Sequence, residues 1–397
     1  MMTAFDQAWG ITKEFERTTS DSFTEMDFLL FAHTMDPNPR ILKEEEGYEK
    51  WPTRGSPRTQ EEIDAKRLVM DYPITGIKGG LTPHEGSLEE KLLAAGASSA
   101  SGSPFSWPSK MPGPAFNTPT DYCQAGHVMR NVPGSVCENC NVHYENNYGR
   151  GVVQNALQRR YNRMMSNPEE WGRAMVSLIP AYSMMSKKKD RRNPVPMALL
   201  GNFPSIDGKP GYMRWHDAGD LQGPQHLALL SDIARATPTV NHWIPTKEPK
   251  FVRQYLKAGG EIPENLIVRI SRPMVGQGPL PEDHANVIDH PQVKQSTVGR
   301  SQLDPNYKGK VCPASMKGGS GCLGEECNAC WRGDFDNIDY ELETDEKGAD
   351  PFSVALSPNI VSEIYDNYMN DEESFNQLVE TDLGQSIMNR ILGLDTQ

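Results

Sequence analysis

The chain has no run approaching the ~20 apolar residues that crossing a bilayer requires, so nothing in it reads as a membrane span. Its first residues, Met1-Met2-Thr3-Ala4-Phe5-Asp6, lack the basic and apolar regions of a signal peptide. It contains neither an internal repeat nor a G-x4-G-K-[ST] phosphate loop. Hydrophobic residues reach only 37% beside 34 Gly and 31 Pro, too few for uniform compactness, so part of the chain is expected to be loop-rich. The expectation is a cytoplasmic protein without membrane partners. Cysteine is also scarce, and none lies between Cys140 and Cys312. An odd total of seven excludes complete disulfide pairing within the chain, and a reducing cytosol favours metal over disulfides.

The cysteines that are present fall into two groups. The early one, Cys123, Cys137 and Cys140, reads C-x13-C-x2-C; the late one, Cys312, Cys322, Cys327 and Cys330, reads C-x9-C-x4-C-x2-C. Each contains C-x-x-C, the spacing that lets two thiolates from one turn bind a single metal ion. Three early thiolates suit a [4Fe–4S] cluster with one open iron, or a closed zinc site completed by His127 or His143. Four late thiolates suit a closed zinc site or a fully ligated cluster. The spacing does not distinguish Zn2+ from iron. Lys317-Gly318-Gly319-Ser320-Gly321, inside the late group, reads as a flexible turn letting Cys312 reach Cys322.

The net charge of −13 conceals an uneven distribution. Residues 333–397 hold sixteen Asp/Glu against Lys347 and Arg390, and the remaining 38 basic and 37 acidic groups of residues 1–332 nearly cancel. Residues 150–192 carry ten Lys/Arg, including Lys187, Lys188, Lys189, Arg191 and Arg192, against Glu169, Glu170 and Asp190. This segment reads as a solvated helix face, or as a phosphate-binding surface for a nucleic acid or nucleotide that the tail screens.

Three regions follow. Residues 1–120 read as a loosely built N-terminal region with short helices near Ser22–His33, Glu61–Met70 and Ser87–Ala95, and a Ser/Gly/Pro linker from Ala94 to Thr120. Residues 121–332 read as an α/β metal-binding domain, and 333–397 as an acidic tail with a terminal helix. Helices are expected from Val152 to Met165 and from Pro168 onward, where Asn167-Pro168-Glu169-Glu170 is a strong start. Strands Tyr212–His216, Val240–Ile244 and Leu266–Ile270 alternate with helices Pro224–Ala236 and Pro249–Ala258, and Met197–Leu200 reads as an earlier strand. Parallel strands joined by helical crossovers predict an α/β fold, a TIM-type or partial (β/α) barrel, with an open doubly wound sheet as the alternative. In such folds binding groups collect at the carboxyl ends of strands. Here those ends carry His216, Asp217 and Asp220 as catalytic candidates, joined by Lys247. Thr246, Ser271 and Arg272 are the cofactor-binding candidates. Trp215 and Trp243 read as core.

The early cysteine loop, Arg214-Trp215-His216-Asp217-Ala218-Gly219-Asp220-Leu221, His242-Trp243-Ile244-Pro245-Thr246-Lys247, Asn265-Leu266-Ile267-Val268-Arg269-Ile270-Ser271, Cys312-Pro313-Ala314 and Cys327-Asn328-Ala329-Cys330-Trp331 occur in an order that resembles the phage gene-88-like proteins. More loosely, the chain is similar to phage radical-SAM-like barrel proteins, although a strict C-x3-C-x2-C signature is absent. The resemblance covers residues 120–332. It implies a bacteriophage protein of the host cytoplasm, a TIM-type barrel and an iron–sulfur cluster on the early cysteines. It names no substrate.

Three functions fit. The first is an iron–sulfur, radical-SAM-like enzyme using S-adenosylmethionine on a nucleotide or nucleic-acid-related substrate. The second is a zinc-stapled transglycosylase exchanging nucleic-acid bases, with Asp217 or Asp220 as nucleophile. The third is a non-enzymatic zinc-stabilised module binding nucleic acid or protein.

Overall fold

In a computed structural model the chain is described from residue 63 to 341, except 64, 100–102, 109–110, 131–133, 139, 141–150, 184–209, 285–286, 305, 316–321 and 323–326. The expected helix at Ser22–His33, strand at Met197–Leu200, lysine cluster at 187–189, glycine turn at 317–321, His143 and most of the acidic tail lie outside the described residues. Among those described, no helix is long and apolar enough to cross a membrane.

Seven strands form one all-parallel sheet: β1 Ala115–Phe116, β2 Gly211–Trp215, β3 Val240–Thr246, β4 Leu266–Ser271, β5 Val293–Val298, β6 Lys310–Val311 and β7 Asn337–Tyr340. Their order is β1-β2-β3-β4-β5-β7-β6. The helices are α1 Leu88–Ala94, α2 Gln124–Met129, α3 Gly151–Ser166, α4 Pro168–Ser183, α5 Pro224–Ala236, α6 Pro249–Lys257 and α7 Arg300–Leu303. Each of α4, α5 and α6 begins with proline, whose fixed φ and missing N–H suit a first helical turn. The helix expected at Ser87–Ala95 forms, started by a capping box between Ser87 and Glu90.

Strand alternation gives the sheet two different faces. On β2, Met213 and Trp215 are fully buried, and Trp215 joins Trp171 of α4 and Phe116 of β1 in one aromatic cluster within the main core. Trp215 is core, as expected. Trp243 of β3 instead belongs to a second apolar cluster with Cys312, Cys330, Trp331 and Ile338. The late cysteine loop therefore covers the face opposite the main core.

Two parts of the chain differ from the sequence reading. The stretch read as a linker, 94–120, contains β1 and the buried Phe105. A two-residue strand is too short to show a period, and its Ser/Gly/Pro flanks hide it. Residues 63–99 also join the main core: Tyr72 donates to Asp232 of α5 at 2.7 Å, and the Ile77 amide donates to the same carboxylate at 2.8 Å. At the other end, β7 lies within the segment read as the acidic tail. There Asp339 is fully buried and accepts from Thr297 at 2.6 Å and from the Ser301 amide at 2.8 Å.

His242 is a buried pH liability. Its Nδ1 accepts from Trp215 Nε1 at 3.3 Å, so Nε2 carries the hydrogen and donates to Thr237 Oγ1 at 2.9 Å. Burial lowers its pKa to about 3. The unfolded imidazole titrates near ~6.5, so its stabilisation is present above that pH and is lost as pH falls toward the folded value, at ~1.4 kcal/mol per pH unit. In urea unfolding, His242→Gln is expected to remove this one-proton slope between pH 6.5 and 5; an unchanged slope refutes the assignment. Removing the carboxylate that ties residues 72–77 to α5, by Asp232→Ala, is expected to lower the unfolding free energy by ~2–4 kcal/mol. A loss below ~0.5 kcal/mol would show that this segment is not integral to the core.

Candidate functional site

The carboxyl ends of β2, β3, β4, β5 and β7 border a cleft of about 520 Å3. Parallel crossovers place all these ends on one rim, so residues distant in sequence meet there. The β2 end is built around Asn117, a fully buried residue just after β1. Its Oδ1 accepts from the Asp217 amide at 2.9 Å and from the Ala218 amide at 3.3 Å, and its Nδ2 donates to Ser106 Oγ at 2.9 Å. The turn this creates puts His216 at φ 59° and Gly219 at φ 85°. A Cβ on Gly219 would stand 2.0 Å from Thr118 Oγ1, so both the angle and the space require glycine.

Asp220 joins β2 to β3. Its Oδ1 accepts from Thr246 Oγ1 at 2.5 Å and the Leu221 amide at 2.7 Å, and its Oδ2 accepts from the Lys247 amide at 2.9 Å. Burial nonetheless holds its pKa above the usual carboxylate range, against the downward pull of those donors. Beside it, Glu248 is 1% exposed and accepts from the Ala125 amide at 2.7 Å, tying the end of β3 to the helix behind Cys123. Burial, and then the charge of Asp220, push Glu248 well up. Lys247 is half-buried among these anions. Burial works against its charge, but Cys137, Asp220, Cys140 and Cys123 outweigh it and raise its pKa.

All three early cysteines line the cleft. Cys123 follows a short 3-10 turn, Thr120–Tyr122, and precedes α2. Cys137 sits in a loop anchored to the segment after β4, where the Val136 amide donates to Pro273 O at 2.8 Å and the Val275 amide donates to Gly134 O at 3.0 Å. The Cys123 and Cys137 sulfurs face a common point: a Cβ on Gly126 would stand 3.8 Å from each. Burial raises both thiols. Asp220 raises Cys123 further, whereas Lys247 pulls Cys137 down. Cys312, Cys322 and Cys330 contribute to the same cleft wall, and together with Cys327 they also enclose a small void of about 10 Å3. Burial pushes Cys322 up to about 12 and Cys330 up to about 11. Among the described residues, no three His, Cys, Asp or Glu side chains converge as a preformed metal-ligand set.

Most of the expected strand-end residues meet in this one cleft: His216, Asp217, Asp220, Thr246, Lys247 and Ser271. Arg272 does not. It is one residue past Ser271, so it falls on the opposite face and lines a separate cavity of about 120 Å3 with Ile270, Lys294 and Asp336. Asp217 accepts from Arg214 at 2.6 Å, and that guanidinium stacks 4.8 Å over Trp243, so the carboxylate is held in an ion pair on the cleft wall. His216 is 3% exposed, and neither ring nitrogen has a hydrogen-bond partner among the described residues. Burial, and then His226 and Arg214, hold it well below the usual imidazole pKa. His127, which with His143 was one of two alternatives for closing a zinc site on the early group, is not among the cleft-lining residues. In the basic segment, Arg159 donates to Gly96 O and Arg160 donates to Ser103 O and Phe105 O, so both act inside the fold.

Asn117 and Glu248 carry the rim without having been singled out in the sequence. Their signals were present but weak: a polar residue directly after a short apolar pair, and an acid next to Thr246-Lys247.

A family model described as Gene product 88 matches residues 89–333, more than half of the chain, and the chain belongs to this phage gene-88-like family. The match begins before β1 and ends just short of β7. No curated protein and no solved structure matches it.

Gly126 lies where the two early sulfurs face each other, and Gly126→Ala puts a methyl 2.9 Å from Cys123 Cβ. Alanine favours a helix over glycine by ~1 kcal/mol, so the backbone itself does not oppose the change. The close contact forces Cys123 to shift, so the variant is expected to lose a few degrees of melting temperature while the rate of disulfide formation between Cys123 and Cys137 under a mild oxidant falls about tenfold. An unchanged rate would show that the two thiols do not meet there.

Proposed function

We propose that the cleft is the active site of a metal-dependent enzyme. In this reading Cys123, Cys137 and Cys140 hold an iron–sulfur cluster at the mouth of a partial (β/α) barrel, with S-adenosylmethionine as cofactor and a nucleotide or nucleic-acid-related substrate. The observation carrying it is that all three early thiols line one cleft with Asp220, Lys247 and His216. Three thiols are the donor set for a [4Fe–4S] cluster that leaves one iron free. The sulfurs share a cleft without converging as ligands, so the fit is one of donor chemistry and shared surroundings. A volume of 520 Å3 is in the range of small-molecule sites.

The barrel reading is supported by the strand order. From β1 to β5 the sheet grows in one direction without the reversal of a doubly wound sheet. Right-handed crossovers then fall on one face, and the late cysteine loop covers the other.

When bound, such a cluster supplies one electron and one open coordination position. The chain's own groups bind and orient. Lys247 offsets the negative charge that three thiolates concentrate at the cleft. Asp220, with both oxygens held by donors from β3, keeps the Lys247 backbone in place. His216 presents a neutral ring whose nitrogens lack partners among the described residues, and a buried polar group of this kind calls for a ligand atom. Ser271 and Ser296, 3.0 Å apart, offer hydroxyls on the far wall, and Arg130 adds a cation suited to phosphate.

Anaerobically purified protein is expected to be brown, to contain iron and to absorb broadly near ~400 nm. Cys123→Ser, Cys137→Ser and Cys140→Ser should each abolish that absorbance. A colourless protein with zinc on these three residues sinks the iron reading. His216→Asn should keep the iron while turnover of the sulfonium cofactor falls about 10–100-fold; full turnover removes His216 from the site. For a polymeric substrate, replacing Lys187, Lys188 and Lys189 with Ala should flatten the salt dependence of nucleic-acid binding by up to about three counterions. An unchanged slope confines recognition to the cleft.

A further inference from the structure

Arg269 lies in the middle of β4 and is 0% exposed. All five of its N–H groups are used. Nε donates to Cys330 O at 3.2 Å, Nη1 to Gln295 O at 3.3 Å and Phe335 O at 2.9 Å, and Nη2 to Ala329 O at 3.0 Å and Arg332 O at 2.8 Å. Every acceptor is a neutral backbone carbonyl, and four of the five belong to the loop that follows Cys327. The guanidinium is the template on which the C-x-x-C turn is folded.

The same turn is fixed from other strands. Trp331 Nε1 donates to Met213 O of β2 at 2.9 Å, and its ring packs against Trp243 of β3 at 5.2 Å. Asn328 Nδ2 donates to Tyr212 Oη at 3.0 Å. Cys327 and Cys330 are thus presented by a rigid turn. Cys312, anchored where its amide donates to Asp339 O at 2.8 Å, and Cys322 complete the surround of the small void. At about 10 Å3 the void is at the lower limit for a single water, yet a bare ion bonded directly to sulfur needs no such room.

Charge supplies the second argument. Among the described residues no carboxylate makes a salt bridge with Arg269. A buried cation satisfied only by neutral dipoles is costly unless a counter-charge lies near. Burial works against the Arg269 charge, while Cys330, Tyr340, Asp334 and Asp336 favour it; the two carboxylates are already paired with Arg332 and Lys294, and four thiolates around a divalent ion would add two net negative charges.

We propose that Cys312, Cys322, Cys327 and Cys330 bind Zn2+ in a closed four-thiolate site whose negative charge is balanced by the buried Arg269. The site is structural and separate from the early cysteine group. Its task is to hold the loop that contributes Cys312, Cys322 and Cys330 to the cleft wall. The sulfurs surround the void without converging on one point, so binding draws them inward and releases their protons to solvent. The proposal does not depend on the early group holding iron.

The test measures metal content of the full chain by mass spectrometry. Wild type is expected to hold about one zinc per chain that resists dialysis, and Cys327→Ser or Cys330→Ser to lower it at least about tenfold while leaving any iron bound by the early group unchanged. Conversely, Cys137→Ser should leave the zinc in place. Loss of zinc on Cys137→Ser, absence of zinc from wild type, or iron in its place overturns the assignment. The charge argument has its own arm, in which zinc is competed away by a chromophoric chelator from Arg269→Lys and Arg269→Gln, both compared by circular dichroism. Lysine keeps the charge but loses most of the carbonyl bonds; glutamine loses the charge. Zinc is expected to be held at least about tenfold more tightly by the lysine variant. Equal loss from both refutes the charge-balancing role. Should both variants fail to fold, cobalt substitution of wild type still decides the site. Strong tetrahedral cobalt–thiolate colour that falls in Cys330→Ser supports it, and its absence overturns it.

Discussion

The rim of the sheet depends on one carboxylate. Asp220 reaches from the turn after β2 to the end of β3, where it holds the Thr246 hydroxyl and the Lys247 amide. The sheet pairing aligns β2 with β3, and this bridge fixes the turn after β2 against the end of β3. Glu248, the next residue along, extends the tie to the helix behind Cys123. The first cysteine is thereby placed relative to β3, although well over a hundred residues separate them. Asn117 does the equivalent work between β1 and β2. Three short polar side chains convert parallel strands into a positioned cleft.

Placing such groups inside a protein carries a cost, and the structure meets it by pairing opposites. Burial alone drives the thiols, Asp220 and Glu248 toward their neutral forms. Lys247 stands among them as the cation that favours their ionised forms. At the late group the roles reverse: Arg269 is the buried charge, opposed by its burial and favoured by Cys330, Tyr340, Asp334 and Asp336 around it. Each cysteine group therefore has a cation of its own. Two such pairs at one cleft are more than packing requires, since apolar residues of the same volume would avoid the desolvation altogether.

The sheet's two faces divide the labour. One is closed by helices rich in Trp, Leu and Met and supplies stability. The other carries Arg214, Trp243, Arg269 and Ser271, which alternate with core residues along the same strands. A one-residue shift in any strand would exchange these sets. That is why Ser271 reaches the cleft while its neighbour Arg272 lines a different cavity.

Much of this was legible in the chain. The α5 and α6 helices begin at the prolines that announced them, and β2, β3 and β4 follow the apolar runs within a residue or two, because hydrophobic periodicity and proline are local signals. The cysteine groups could be read directly from spacing. What could not be read were the contacts across the sheet. The strand β1 is two residues long and sits in Ser/Gly/Pro sequence; β7 and the buried Asp339 hide in an acidic segment; Asn117, Glu248 and Arg269 look like ordinary surface residues until strands are aligned. Local signals in the chain establish the helices, the central strands and which residues are able to ligate or titrate. Which of them share a cleft follows only once the strands are aligned, because parallel strands bring together residues whose separation along the chain leaves no local trace.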